Sequence, residues 1–270
     1  MKQKIVYLLS LILPNTFTRI AFNQLTNPQT HKLRDHELVT LDKSIKERIP
    51  FKSFEIQTYH WKGSGDKILL IHGWEGQAGN FSDLIEKLIE LNYDIHAFDA
   101  PSHGLSSRGM TSLFDFTELT AERIQTLQAK KLVSHSFGGV ATTYALLQNP
   151  SIEIEKYVLL TTPDKFTERI EEVSKKVGIS KKVRSKLTAR IELETGHSID
   201  ALNVSDFVKE IKVKEALILH DIDDKIIPFA QSQNVNNNWT EAKLETIKNT
   251  GHFRILRTES VLNRVISFLK

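Results

Sequence analysis

The sequence predicts an α/β fold, a mostly parallel central sheet with helices on both faces. Three observations predict it. Short apolar runs recur from Lys67 onward, and segments with apolar residues at helical spacing separate them. The run Leu132-Val133-Ser134-His135-Ser136-Phe137-Gly138-Gly139 then turns abruptly from strand-like to helix-like at a serine. Strands that are apolar throughout are buried on both faces, which happens when helices cover the sheet from each side.

Residues 1 to about 52 form an N-terminal region of mixed helical character. Lys2 and Lys4 precede the apolar run Ile5–Leu13, which has the charge and length of a signal-peptide core but is too short to span a bilayer as a helix. Pro14-Asn15-Thr16-Phe17-Thr18-Arg19 offers no small-x-small cleavage site. The expectation is a helix packed on the main domain of a cytoplasmic protein, with a membrane-surface anchor or export as the alternatives. Residues 53–61 alternate apolar and polar like a half-exposed edge strand, and Gly63-Ser64-Gly65-Asp66 makes the turn that follows.

Lys67–Ile71 reads as a buried strand, and further strands are expected at 93–98, 131–135, 156–161, 215–220 and 242–247. Phe81, Leu84, Ile85 and Leu88 recur at helical spacing, as do Phe116, Leu119, Ile124 and Leu127, and Val140–Leu147 reads as the helix after Ser136. Between Pro163 and Lys214 lie roughly fifty residues of helical pattern, too many for an ordinary connection. The expected organisation is one α/β domain over 53–270 with a helical insertion at about 165–210. Within the insertion Lys175, Lys176, Lys181, Lys182, Arg184 and Lys186 face only Glu168, Glu171 and Glu172. Such a run is ordinarily a solvated helix face; the sharper reading is attraction of acidic substrates or a membrane surface.

Composition narrows the function classes. The chain has 270 residues, 40% hydrophobic and 26% charged, as a soluble globular domain does. A net charge of +3 and the lack of any arginine-rich segment argue against a nucleic-acid partner. Cysteine is absent, which removes disulfides and thiolate metal ligands. The glycine-rich segments fit no dinucleotide or phosphate fingerprint. His72, His103 and Asp99 lack metal-ligand spacing, so neither cofactor nor metal is expected. No signal speaks to oligomeric state.

The chemistry sits in four motifs. Ser134-His135-Ser136-Phe137-Gly138 resembles the nucleophile elbow of the α/β-hydrolase superfamily, with Ser134 in place of the first glycine. His72-Gly73-Trp74 after the strand 67–71 is similar to the His-Gly oxyanion loop of that family. Asp99-Ala100-Pro101-Ser102-His103-Gly104-Leu105-Ser106 resembles its Asp-x-Pro-Gly-His-Gly-x-Ser turn, with Ser102 for the first glycine. Downstream, His220-Asp221-Ile222-Asp223-Asp224 leads to Pro228, and Thr250-Gly251-His252 follows the strand at 242–247. The order Ser…Asp…His is that of the superfamily.

The resemblance covers about 54–270 and implies an α/β-hydrolase fold with a small helical cap. It implies Ser136 as nucleophile and His252 as base, with backbone N–H groups of Trp74 and Phe137 as the oxyanion hole. Aligning the family's acid motif on Ile227 and Pro228 selects Asp224 as the triad acid, with Asp221, Asp223 and, more weakly, Asp164 as rivals. The Trp74 indole either lines an acyl pocket or packs against the cap. The expected activity is hydrolysis of a small-molecule carboxylic ester through an acyl-enzyme. The alternatives are a thioesterase, lactonase or C–C bond hydrolase on the same triad, or a non-catalytic binding protein on the same fold.

Overall fold

The computed structural model describes residues 2–270. Its first half comprises α1 (Lys2–Ile12), α2 (Pro14–Thr26), α3 (Asp35–Asp42), β1 (Ile45–Phe51), β2 (Phe54–Trp61), β3 (Lys67–Ile71), α4 (Ser82–Glu90), β4 (Asp94–Phe98), α5 (Leu113–Leu127) and β5 (Lys131–His135). There follow α6 (Phe137–Gln148), β6 (Glu153–Leu160), α7 (Phe166–Val177), α8 (Lys181–Thr195), α9 (Val204–Phe207), β7 (Lys212–Asp221), α10 (Phe229–Asn237), β8 (Ala242–Ile247), α11 (Gly251–Arg254) and α12 (Glu259–Leu269).

All eight strands form one sheet in the order β1-β2-β4-β3-β5-β6-β7-β8. The six strands from β4 to β8 run parallel, while β2 pairs antiparallel with both β1 and β4. Alternate strand residues go to opposite faces. Ile68, Leu70, Val133, Val158, Leu217 and Leu219 meet Leu84, Ile85 and Leu88 of α4 and Val261, Leu262 and Val265 of α12 in one core. Each such buried aliphatic side chain stabilises the fold by roughly 1.5–3 kcal/mol. Helices α5 and α6 pack on β3 and β5. Because β3 to β8 are parallel, Ile71, Phe98, His135, Leu160, Asp221 and Ile247 all end at one edge of the sheet, and the loops that follow them collect there.

The expected strands are present, with two of them longer than read. β6 begins at Glu153 and β7 at Lys212 because their first turns alternate exposed and buried residues outside the apolar run. Strand β1 departs from the expectation, since residues 45–51 fall in the N-terminal region whose sequence pattern is helical. Lys46, Glu47, Arg48 and Pro50 give it no apolar alternation, and it is exposed over most of its length. It forms by pairing with β2 at the sheet edge, where proline and charge are tolerated.

The chain divides into two compact units. One comprises Gln29–Asp164 and Val204–Lys270 and contains the sheet; the other joins the N-terminal residues through Pro28 to Lys165–Asn203. The N-terminal region of the sequence reading is thus shared between them. In the second unit α1 and α2 pack with α8, and the Arg190 guanidinium lies 3.8 Å over the Phe22 ring. In the sheet-bearing unit the two ends of the inserted segment are tied together, the Val204 N–H donating to the Asp164 carbonyl at 3.1 Å.

Candidate active site

Ser136 stands between β5 and α6 with φ 52° and ψ −122°, a conformation that costs a non-glycine residue about 1–3 kcal/mol. Its neighbours make the turn possible. A side chain on Gly138 would sit 2.3 Å from the His72 carbonyl oxygen, so only glycine lets α6 start this close to the end of β3. Ser134, in place of the first glycine of the motif, is fully buried and shares a 2.8 Å hydrogen bond with the Tyr157 hydroxyl. The Ser136 N–H donates to the Leu160 carbonyl at 2.9 Å and ties the elbow to β6.

Three of the residues selected from sequence form one hydrogen-bonded chain. Ser136 Oγ is 3.0 Å from His252 Nε2, and His252 Nδ1 is 2.9 Å from Asp224 Oδ2. Burial pushes the Asp224 carboxyl up. The hydrogen bond and charge of His252 and the N–H groups of Ile226 and Ile227 outweigh it, and its pKa lies below the ordinary value. An ionised carboxylate only accepts hydrogen bonds. Nδ1 of His252 therefore carries the proton, and Nε2 is left to accept from the Ser136 hydroxyl.

Asp223 and Asp164 lie outside this hydrogen-bonded chain. Asp223 is exposed. Asp164 accepts from the Ser205 N–H and the Asn234 amide. Phe137 opens α6, and its ring packs edge-on against that of Trp74 at 5.1 Å. Gly73, just before Trp74, lies against the elbow: a Cβ there would be 3.1 Å from that of Ser136.

Sequence reasoning missed the residues that hold this arrangement. Asp221, at the end of β7, accepts from the backbone N–H of Asp223 with one oxygen. With the other it accepts from the N–H and hydroxyl of Thr250 and the N–H of Gly251. It thereby fixes both the Asp224 turn and the His252 loop. Behind them His135 donates from Nε2 to the His252 carbonyl at 2.9 Å, and burial holds its pKa down at about 3. His220, fully buried, bonds Ser232 Oγ and the Ile227 carbonyl beneath Asp224.

The histidines near the His72-Gly73-Trp74 loop are engaged as well. His72 donates from Nδ1 to the Gly73 carbonyl and accepts the Ala100 N–H at Nε2, joining the loops after β3 and β4. Burial drives its pKa well down, and with both ring nitrogens engaged it cannot serve as a metal ligand with His103 and Asp99. Among the described residues, ligand atoms close enough for a metal ion occur at His60, Asp94 and His96. There both imidazoles pair with the Asp94 carboxylate, at 2.6 and 3.2 Å, and that pairing accounts for the geometry.

Asp99 is buried and accepts from the Ala78 N–H, the Leu105 N–H and the Tyr59 hydroxyl, at 2.8, 2.8 and 2.9 Å. A Cβ on Gly104 would lie 2.2 Å from this carboxylate, so the turn must carry glycine there. Ser102 takes a positive φ of 67° where the family motif has glycine.

With the geometry in hand, comparisons with known proteins show what the chain is similar to. A family model described as the alpha/beta hydrolase fold matches residues 66–180. An esterase of Pyrococcus furiosus superposes with a TM-score of 0.67 over 91% of this chain and 97% of its own, at 17% identity. The chain has the α/β-hydrolase fold, and over residues 66–180 it is similar to that family. An abhydrolase domain-containing protein of Caenorhabditis elegans is 31% identical over 148 residues, 48% of this chain and 32% of its own. A pimeloyl-[acyl-carrier protein] methyl ester esterase of Xanthomonas campestris is 31% identical over 90 residues, 33% of this chain and 35% of that protein. The chain therefore spans about a third of the length of these two relatives.

Burial raises the Asp99 pKa to about 6, against the hydrogen bonds from Leu105, Ala78 and Tyr59. A carboxyl whose folded pKa exceeds its unfolded value binds more protons when folded, so its contribution to stability falls as pH rises through that window. Between pH 5 and pH 7 the wild type should lose about 1 kcal/mol from this group. Denaturant titrations of wild type and Asp99→Asn at the two pH values check it: the loss should be missing in the variant.

Proposed function

We propose that the protein is a serine hydrolase cleaving a small-molecule carboxylic ester through an acyl-enzyme, with Ser136 as nucleophile, His252 as base and Asp224 as orienting acid. The observation that carries the reading is the unbroken chain from Ser136 Oγ through His252 to Asp224, 3.0 and 2.9 Å long, at the start of a helix. A serine hydroxyl is a weak nucleophile until a base within hydrogen-bond reach takes its proton. His252 Nε2 takes it as Oγ attacks the carbonyl carbon, and the resulting imidazolium is held by Asp224. Collapse of the tetrahedral intermediate expels the alcohol, which receives that proton. Water then repeats the cycle on the acyl-enzyme and frees the acid.

Backbone N–H groups of Trp74 and Phe137 stabilise the oxyanion, each contributing on the order of 3 kcal/mol to the transition state. The similarity to a methyl ester esterase supports an ester as the substrate class. Thioesters and lactones present the same carbonyl to the same groups.

We further propose that the helices inserted between Asp164 and Val204 form a cap that selects the acyl group. Its support is the place of insertion, a few residues past Leu160, whose carbonyl accepts the Ser136 N–H. Replacing 165–203 with a short Gly-Ser linker should shift the preferred acyl length in a p-nitrophenyl ester series. Unchanged preference would contradict the cap.

The main test is labelling with a fluorophosphonate together with ester turnover. The wild type should be labelled, and Ser136→Ala should abolish labelling and turnover while the circular dichroism spectrum is kept. Asp224→Asn should fold normally and lose about 10⁴-fold in kcat, because the imidazole takes the wrong tautomer. A folded wild type that resists labelling would instead identify a non-catalytic binding protein.

A further inference from the structure

Helix α1 has its polarity reversed. A helix on the surface of a soluble protein turns its apolar stripe inward and its polar face to water. Here seven of the nine residues from Ile5 to Leu13 are exposed, with Leu8 at 59% and Ile12 at 73%. Ile5, Leu8, Leu9 and Ile12 follow the i, i+3, i+4, i+7 spacing of a single helix face. The polar Ser10 is the side chain turned inward, fully buried.

The helix is nevertheless fixed in place. Ser10 Oγ accepts the Ser180 N–H at 2.8 Å, and the Ser180 hydroxyl donates to the Ser10 carbonyl at 3.4 Å. Ser180 is the N-cap of α8, so Lys181 and Lys182 in the first turn of α8 stand beside α1.

Charge says what covers this face. The unit formed by the first 28 residues and Lys165–Asn203 holds twelve lysines and arginines against six acidic residues, a net +6 in a chain whose total is +3. Its acidic side chains are largely engaged: Glu171 pairs with Lys175 and Arg184, Glu172 with Arg169, and Glu194 with Arg190. Lys4, Lys181, Lys182 and Lys186 are exposed. Among the described residues, no single helix is long and apolar enough to cross a membrane, and α1 and α2 are bent 120° apart.

We propose that this unit docks on an anionic lipid surface, with α1 lying in the interface and the lysines of α8 on the headgroups. Apolar burial supplies the affinity, and the basic residues supply the preference for anionic lipid.

The test is co-sedimentation of the full-length protein with phosphatidylcholine vesicles, with and without phosphatidylglycerol, at low and high salt. Wild type should bind the phosphatidylglycerol vesicles more tightly than the neutral ones, and salt should weaken that preference. Leu8→Asp/Ile12→Asp should lower binding to both vesicles at least about tenfold. Lys181→Glu/Lys182→Glu should remove the preference for phosphatidylglycerol and leave the weaker binding to neutral vesicles. All four side chains are exposed, so both variants should keep the wild-type thermal midpoint.

A folded, monodisperse wild type that binds neither vesicle overturns the proposal. So does a lipid-free dimer that the Leu8/Ile12 variant converts to monomer without any change in sedimentation, since a second copy then covers α1. Sedimentation does not depend on turnover, so the outcome is independent of the proposed esterase chemistry.

Discussion

The turn at Ser136 is the constraint on which the rest of the site depends. The chain passes from β5 into α6 within a residue held at positive φ, and that is possible only where α6 approaches the end of β3 without a side chain at Gly138. The sheet absorbs the cost. β5 is buried along its whole length and pairs with β3 on one side and β6 on the other, so the strained residue is anchored by two strand ladders. The same turn that raises the hydroxyl above the strand end also brings the first N–H groups of α6 beside it.

Opposite that turn, two aspartates three positions apart divide the work on His252. Asp224 meets the imidazole itself, while Asp221 binds the backbone of the loop that carries it. Both carboxyls lie below the ordinary pKa for the same reason. Burial opposes ionisation, and hydrogen bonds outweigh it. Asp224 receives them from His252, whose charge adds to the effect, and from the N–H groups of Ile226 and Ile227. Asp221 receives them from the backbone of Asp223, Gly251 and Thr250 and from the Thr250 hydroxyl. Neutral, buried His135 and His220 pack behind the pair and are themselves bonded at fixed points, so His252 is given one orientation. In the proposed mechanism that rigidity is what lets a single proton move between Ser136 and the leaving group without rearrangement.

The sheet and the hydrogen-bonded chain were legible in the sequence because each carries a local signature. The apolar run Ile68–Ile71 marks β3, and Leu132-Val133 leading into the turn at Ser136 marks β5. Ser136, Asp224 and His252 each follow a strand end within a recognisable turn. Asp221 was legible only as a rival acid, since a carboxylate that binds backbone two loops away has no spacing of its own. Strand β1 was hidden because its charged residues and Pro50 follow no alternation, and pairing with β2 alone creates it. The union of α1 with α8 was hidden for a similar reason. Ser10 and Ser180 are 170 positions apart, and neither has a partner encoded in its own segment. What the sequence did carry of that union, an apolar run and a run of lysines, acquires meaning only when the fold sets them side by side.

The account rests on Ser136 becoming acylated. Intact-mass spectrometry of the wild type during turnover of a slow activated ester, followed by peptide mapping, reads this directly. The account predicts a single acyl adduct on the peptide containing Ser136, decaying at the rate of steady-state turnover. An adduct on a different serine, or turnover that survives Ser136→Ala, would contradict it.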